Sequence, residues 1–504
     1  MMHRLRSIWH FAIVALSGFW LSEGLSSSAR GAAYASGVSI NGTTVSFILN
    51  EPADQLSITL NGTSTITLDG STSGVKTFNL GSTSDTFAIT ASTNDPIGYT
   101  IPTGGTIAAV GTGLSQASSA GGFMLISGDT NPLVRFNSPR GVTVATDPNN
   151  SQFGTAYISN SAAGSTSGVV RAVGDGLYGL KADQSDAFGN GNTAVPTGFE
   201  GTPSTSSPFR LSVGADHNVY VADFSDANGG VYRMSNTLTG GTQVLVGVGG
   251  PSTVPAGQNH GSTTAVFVTG TAAGTTLYTL DEDLTSSNVV AGGSTADKNS
   301  LWKYEIGTAT QYAGLPSKVN SGAALVPLAT SDLDVGLNGD FYLGQNRSAG
   351  NEAGVTVLAP DGTLLYDSLT ASRTLLGNPT AVDILRNIVG IAVSPDQKYL
   401  AGLINNSDVV VLPLINGIPD LTNRLVIDTG TDIISGRDIA FDAADNIHYV
   451  SSGQALYRVL APGGFTSATT SWNGSNYDFV LVPEPSSALL LGAGVLLLAR
   501  RRRS

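Results

Sequence analysis

One phrase recurs six times after Gly141, and it limits the possible folds more than anything else in the chain. It is an apolar strand, a polar turn holding Asp, Asn or Gly, and a second strand containing Tyr. The copies are Gly141-Val142-Thr143-Val144 with Ala156-Tyr157-Ile158, Leu211-Ser212-Val213 with Val219-Tyr220-Val221, and Val266-Phe267-Val268 with Leu277-Tyr278-Thr279. Leu333-Asp334-Val335 with Phe341-Tyr342-Leu343, Gly390-Ile391-Ala392-Val393 with Tyr399-Leu400-Ala401, and Asp438-Ile439-Ala440-Phe441 with His448-Tyr449-Val450 complete the set. A second hairpin follows most copies, as in Val231 to Met234 with Gln243 to Val246, and Val355 to Leu358 with Leu364 to Tyr366.

Four strands per unit, repeating every ~45–70 residues, is a loosened propeller rhythm. An array of sandwiches or a β-helix is the alternative, but β-helix coils are shorter and lack the Tyr strand. One blade cannot bury both of its faces, so the Tyr-bearing strands should pack on neighbouring blades in a closed ring. Closure needs the two ends to meet, which places Phe123-Met124-Leu125-Ile126 in the last blade beside Tyr477-Asp478-Phe479-Val480. The stretch Ile391-Ala392-Val393-Ser394-Pro395-Asp396-Gln397-Lys398-Tyr399-Leu400 resembles the blade core of NHL- and YVTN-type propellers. That resemblance implies a β-propeller of about six blades over residues 122–481.

Residues 37–103 read as a smaller all-β unit. Thr44 to Leu49, Leu56 to Leu60, Thr65 to Leu68, Val75 to Leu80 and Phe87 to Thr90 alternate apolar and polar, as half-buried antiparallel strands do. Asn61-Gly62 between two such runs signals a hairpin. The expected form is an Ig-like sandwich, and Val45 to Asp54 resembles the start of Ig-like modules in flagellar hook-capping proteins. Residues 104–121, rich in Gly, Ala and Ser, read as a linker.

Both ends read as addresses. Residues 1–35 have a basic start (Arg4, Arg6), an apolar run from Ile8 to Leu21, and small residues at Ala33 and Ala35, the pattern of a secretory signal peptide cut after one of those alanines. Residues 482–504 join Val482-Pro483-Glu484-Pro485 to an apolar segment and a block of Arg500, Arg501, Arg502 and Arg503. The segment Ala488 to Ala499 is short against the roughly 20 residues that span a bilayer, and its arginines hold to the cytoplasmic side. This three-part tail resembles the PEP-CTERM sorting signal of bacterial envelope proteins. The resemblance implies a short membrane helix, a transient inner-membrane anchor and processing by exosortase. It further implies delivery to the envelope or exterior, where relatives often accompany exopolysaccharide.

Leader and tail hold seven basic and two acidic residues, so the body between them carries −18 against −13 for the whole chain. Such a body repels nucleic acid, which is excluded as a partner. The absence of cysteine removes disulfides, thiolate metal sites and cysteine nucleophiles. His217, His260 and His448 are scattered among the repeats, unlike zinc ligands, which need three or four converging donors. Gly174 to Gly179 has the letters of a dinucleotide loop but reads as strand–turn–strand, where no helix opens to meet a pyrophosphate. No cofactor is expected, with weak structural calcium at Asp223 and Asp226, or at Asp281 and Asp283, the one exception. Arg140, Arg210, Asp332 and Arg437 begin the inner strands of four copies. They are expected either to converge at the channel mouth or to anchor blade-to-blade hydrogen bonds.

No catalytic set emerges, so the expectation is a non-enzymatic binding or matrix protein that meets envelope polysaccharide or surface proteins. A propeller hydrolase or lyase acting on sugars or lactones is the alternative.

Overall fold

The computed structural model describes residues 31–483, apart from 94–97, 100, 102–107, 110–122, 125–130, 167–168, 190–206, 225–229, 247–261, 283–299, 321–329, 347–350, 406–407, 428–435, 452–454 and 463–464. Six antiparallel sheets follow one another along most of this length. Their innermost strands are Pro139–Val144, Leu211–Val213, Thr263–Thr269, Thr330–Val335, Ile388–Val393 and Gly436–Phe441. Each innermost strand neighbours the next, and the sixth returns to the first. The chain is therefore a closed six-bladed β-propeller, and all six phrases are the inner hairpins of its blades.

Each seam between blades has its own core. Tyr157 of blade 1 packs with Val219 and Val221 of blade 2, Tyr220 with Val266 and Trp302 of blade 3, and Leu280 of blade 3 with Leu343 of blade 4. Tyr342 meets Leu400 of blade 5, Leu403 meets Tyr449 of blade 6, and Val450 meets Ile158 of blade 1. Each fully buried aliphatic or aromatic side chain contributes about 1.5–3 kcal/mol. Stability therefore resides in the seams, and blade order follows from which Tyr-bearing strand each seam receives.

Closure is achieved as expected in kind but with different partners. Phe123–Met124 is the outermost strand of blade 6, where it pairs with Arg458 and Val459 rather than with Tyr477 to Val480. Part of the expected linker is also structural, because Ala108–Ala109 pairs in parallel with Leu425 and Val426 at the edge of blade 5.

The domain boundaries need a larger correction. The N-terminal unit is a sandwich of a three-stranded sheet (Ala35–Asn41, Thr44–Leu49, Gly74–Asn79) on a five-stranded one. Two of the five strands, Phe465–Trp472 and Tyr477–Pro483, come from the far end of the chain, and Phe465–Trp472 pairs with Phe87–Ser92. The propeller therefore ends before residue 465, not at 481, and the sandwich is not confined to 37–103. The core joins Phe47, Leu56, Ile58, Phe78, Phe87 and Ile89, with Trp472 and Tyr477 packed against it. The Asn61-Gly62 hairpin forms as its sequence requires, with φ of 48° and 70° at the two central residues.

The sandwich is fastened to blades 1 and 6. Tyr34, Phe153 and Phe479 form an aromatic trio with ring centroids 5.5–5.9 Å apart. Arg458 of blade 6 lies 3.2 Å from Glu51 in a buried ion pair. Asn149 bonds both the N–H and the carbonyl of Tyr477, at 2.8 and 3.1 Å.

Candidate functional site in the propeller channel

Inner strands enter the ring through a shared irregularity. In blade 1, Gly141 faces Ser159 and Pro139 faces Asn160, so Arg140 has no opposite number. The same slip skips Thr264, Ser331, Val389 and Arg437. In blade 2, Phe209 and Arg210 both bond to Ala222. These are β-bulges, which bend a strand and re-aim its side chains. After the bulge, Gly141, Arg210, Ala265, Asp332, Gly390 and Asp438 hold equivalent places. Two residues further, on the same strand face, come Thr143, Ser212, Phe267, Asp334, Ala392 and Ala440.

Arg210 closes the channel at the first of these levels. From blade 2 it donates to the Val389 carbonyl on blade 5, directly across the ring, and to the Arg140 carbonyl at 2.7 Å. On either side it lies 3.3 Å from Asp438 and 3.7 Å from Asp332. Two of the six places are glycines, which let neighbouring inner strands approach closely. A Cβ on Gly141 would collide with the Phe209 carbonyl, and one on Gly390 would press on Asp438.

The carboxylates also stitch seams where neighbouring inner strands share no sheet ladder. Asp438 accepts the N–H groups of Ile439 (3.0 Å) and of Val142 on blade 1 (2.8 Å). Asp332 accepts those of Leu333 (2.9 Å) and of Ile391 on blade 5 (2.8 Å). Asp334 repeats the device with Val335 (2.8 Å) and Val393 (2.6 Å). Burial pushes Asp438 well above the usual carboxylate range, opposed by Arg210 and reinforced by the nearby Asp332. Burial raises Asp332 as well, with Arg210 opposing it, and raises Asp334 to about 7. Both acids are therefore harder to ionise than an exposed carboxyl, and the Arg210 guanidinium between them offsets part of that cost.

All four channel residues named from sequence converge on this end. Burial, then the charges of Arg437 and Arg210, bring Arg140 down to about 10, while its Nε donates to Ser161 at 3.0 Å. Burial and Arg210 lower Arg437, which makes no hydrogen bond or ion pair among the described residues. Asp438 and Asp334 were missed. Asp438 precedes Ile439 as Asp332 precedes Leu333, so aligning the six phrases with one another would have exposed it.

Above the Arg210 crossing lies a cavity of about 310 Å³, with Asp332 and Asp438 at its floor and Leu337, Pro395 and Gln397 among its lining. Thr143, Ser212, Phe267, Asp334, Ala392 and Ala440 all line it.

The remaining candidates have other work. Asp223 accepts from the Ser207 hydroxyl, and Asp281 lies 3.5 Å from the Thr263 hydroxyl. Both end the second strand of a blade, where Asn160 in blade 1 takes the N–H groups of Asn137 and Ser138. This position caps the chain entering the bulge. Asp226 and Asp283 lie outside the described residues, as does His260. Among the described residues no three His, Asp or Glu side chains are grouped to hold a metal. His217 of blade 2 bonds Asp147 of blade 1 at 2.8 Å, and His448 bonds Asp442 at 3.3 Å within blade 6, so the two are engaged at different places in the ring.

At the N-terminal end, Ala33 and Ala35 are fully buried in the sandwich core. The N–H of Tyr34 donates to Asn50 at 2.7 Å, and that of Gly31 to Glu51 at 3.2 Å. A cut after Ala33 would put an ammonium at buried Tyr34, at a cost of several kcal/mol. N-terminal sequencing of the exported protein is expected to find its first residue at or before Gly31, for example after the small-x-small triplet Ser27-Ser28-Ala29. A chain starting at Tyr34 or Ser36 would refute this.

At the other end, Val482 and Pro483 finish the strand Tyr477–Pro483, opposite Ser467 and Phe465. Glu484, Pro485, the apolar segment and Arg500 to Arg503 lie outside the described residues. No helix among those described is long and apolar enough to cross a membrane.

Comparison with known proteins bears on the tail, and some solved structures are similar to the body. No curated protein matches the sequence. Among solved structures, a protein of unknown function from Bacteroides thetaiotaomicron is similar at 13% identity and TM-score 0.38, covering 85% of this chain and 97% of that one. A streptogramin B lyase is similar at 10% identity and TM-score 0.34 (67% and 95%), and the WD40 β-propeller domain of Doa1 at 10% and 0.36 (64% and 93%). At the C-terminus, residues 481–503 match the PEP-CTERM protein-sorting motif. The chain is thus a six-bladed propeller with a split sandwich, carrying a PEP-CTERM sorting signal for export to the cell envelope.

Proposed function

We propose that the exported body is a non-enzymatic binding or matrix protein that associates with envelope polysaccharide. The sorting motif over residues 481–503 is the observation that carries this reading. It marks the chain for exosortase and hence for the cell exterior, after a transient hold in the inner membrane by the apolar segment. The use of the channel acids supports it too, because Asp332, Asp334 and Asp438 all hold neighbouring blades together. Polar groups committed to seams are poorly placed to move during a reaction.

The test is fractionation of the native host with polysaccharide co-sedimentation. The wild-type chain should appear trimmed, outside the inner membrane and bound to the polysaccharide. A Glu484→Ala chain should be at least about tenfold depleted outside and stay untrimmed in the membrane. Equal export of both chains would remove the sorting half of the proposal, and release of trimmed protein that ignores polysaccharide would remove the binding half.

An enzyme acting on sugars or lactones is the second reading. It is favoured by the pair of buried carboxyls, Asp332 and Asp438, that line the cavity beside Arg210, both raised by burial. Turnover abolished by Asp438→Asn, in a variant that still melts like the parent, would select it.

A further inference from the structure

We infer that the cavity above Arg210 is a binding site for one neutral sugar ring, with Phe267 as its stacking wall and Asp334, Thr143 and Ser212 as its hydrogen-bonding groups. This deepens the polysaccharide-binding reading and rests on it.

Size sets the first limit. At about 310 Å³ the cavity is at the small end of the 300–1,000 Å³ typical of ligand pockets, so it admits a single ring rather than a chain segment. Its lining supplies both kinds of contact that a sugar offers. A pyranose has an apolar face of C–H groups and an equator of hydroxyls. The partly buried Phe267 ring lines one side, packed from behind by the core of blades 3 and 4. An aromatic wall held in this way presents apolar surface at little entropic cost.

The polar groups stand at the same level of the ring. Thr143 and Ser212 line the cavity, and their hydroxyls make no hydrogen bond among the described residues. Each can donate once and accept twice. Asp334 is held rigidly by two backbone N–H groups, which occupy one lone pair on each oxygen and leave further acceptor capacity. Ala392 and Ala440 complete the level and supply the open space. Larger residues there would fill it.

Charge selects the kind of sugar. Among the described residues of the lining the ionisable groups are Asp332, Asp334 and Asp438, with no basic side chain, so a uronate meets only acids there, while Arg140 and Arg437 sit on the bulges. A cationic sugar in turn faces the Arg210 guanidinium already seated between the floor acids, which leaves a neutral glycosyl end as the ligand.

Saturation-transfer NMR on the exported protein tests this with methyl glycosides of glucose, galactose and mannose, and with glucuronate and glucosamine. At least one neutral glycoside should bind, glucuronate should not, and glucosamine should bind no better than the neutral sugars. Ala440→Leu, which fills the lumen, and Phe267→Leu, which keeps bulk but loses the ring, should each weaken binding at least tenfold. Their melting should stay close to the parent's. Asp334→Asn should reduce the discrimination against glucuronate. Binding that survives both leucine variants overturns the assignment, and a preference of the parent protein for glucuronate or glucosamine overturns it without any variant. If polysaccharide co-sediments but no glycoside binds, the site is wrong and the wider function stands. If neither binds, both fall.

Discussion

Arg210→Met should be the most damaging single substitution in the propeller, costing about 3–5 kcal/mol, the range for removing one partner of a buried ion pair. Methionine matches the length of the arginine stem, so packing changes little. What is lost is the charge between Asp332 and Asp438 and the donors to the Val389 and Arg140 carbonyls. Those carbonyls lie on blade 5, across the ring from blade 2, and on the adjacent blade 1, so one change loosens the ring at both places. The effect should depend on pH in a definite direction. Burial already raises both aspartates above their unfolded values, with Arg210 opposing the rise. The folded state therefore binds more protons than the unfolded chain, and stability falls as pH rises above the ordinary carboxylate range near ~4. Removing Arg210 lifts both carboxyls further and steepens that fall. In denaturant titrations the variant should lie furthest below the parent near pH 8 and recover much of the difference near pH 5, where both acids can be neutral. A deficit independent of pH would mean that lost packing, not unpaired charge, accounts for the damage.

The inner hairpins were legible because everything that defines them is local. Alternation, an Asp-bearing turn such as Asp396, and a Tyr on the return strand are all within about a dozen residues of one another, and local pairing is what periodicity reports. The bulges were not legible. Arg140, Ser331 and Arg437 look like ordinary strand residues, and only the cross-strand register shows that each is skipped. For that reason the arginines and Asp332 could be placed at the channel end, while the crossing of Arg210 to blade 5 could not. Gly141 and Gly390 gave no sign that the backbone of the adjacent blade crowds them. Gly31 to Ala35 misled for a different reason. Small residues are what a signal peptidase prefers, and they are also what a tight sandwich core accepts. The same letters therefore served two readings, and burial separates them. Partnership over long distance was the largest omission. Phe465–Trp472 and Tyr477–Pro483 alternate as half-buried strands in any sheet would, and alternation does not say which strand lies alongside.

That omission leads to the second large effect. A chain ending at Ala461 should lose the sandwich and keep the propeller. The removed hairpin carries buried Ala468 and Thr470, and Trp472 and Tyr477, which pack on the sandwich core. It also carries Phe479, whose ring lies 5.6 Å from Tyr34 and 5.5 Å from Phe153 at the junction with blade 1. Deleting one packed aromatic costs up to about 3–5 kcal/mol, so losing three is comparable with the whole stability of about 5–15 kcal/mol that a domain possesses. The ladder with Phe87–Ser92 goes as well, exposing a strand edge in the middle of the former sheet. Hydrogen exchange should show residues 35–92 losing protection by at least about a hundredfold while residues 388–404 in blade 5 keep theirs. Retained protection in 35–92 would mean that the sandwich stands alone, as its N-terminal strands suggest when read by themselves. The same pairing bears on export. Thr90 and Thr469 meet at 3.0 Å although 379 residues separate them, so the sandwich cannot close until nearly the last residues are available. Contacts of such separation form late. Since Val482 is still paired with Ser467 at the start of the sorting motif, completion of the fold and arrival of the sorting signal are one event.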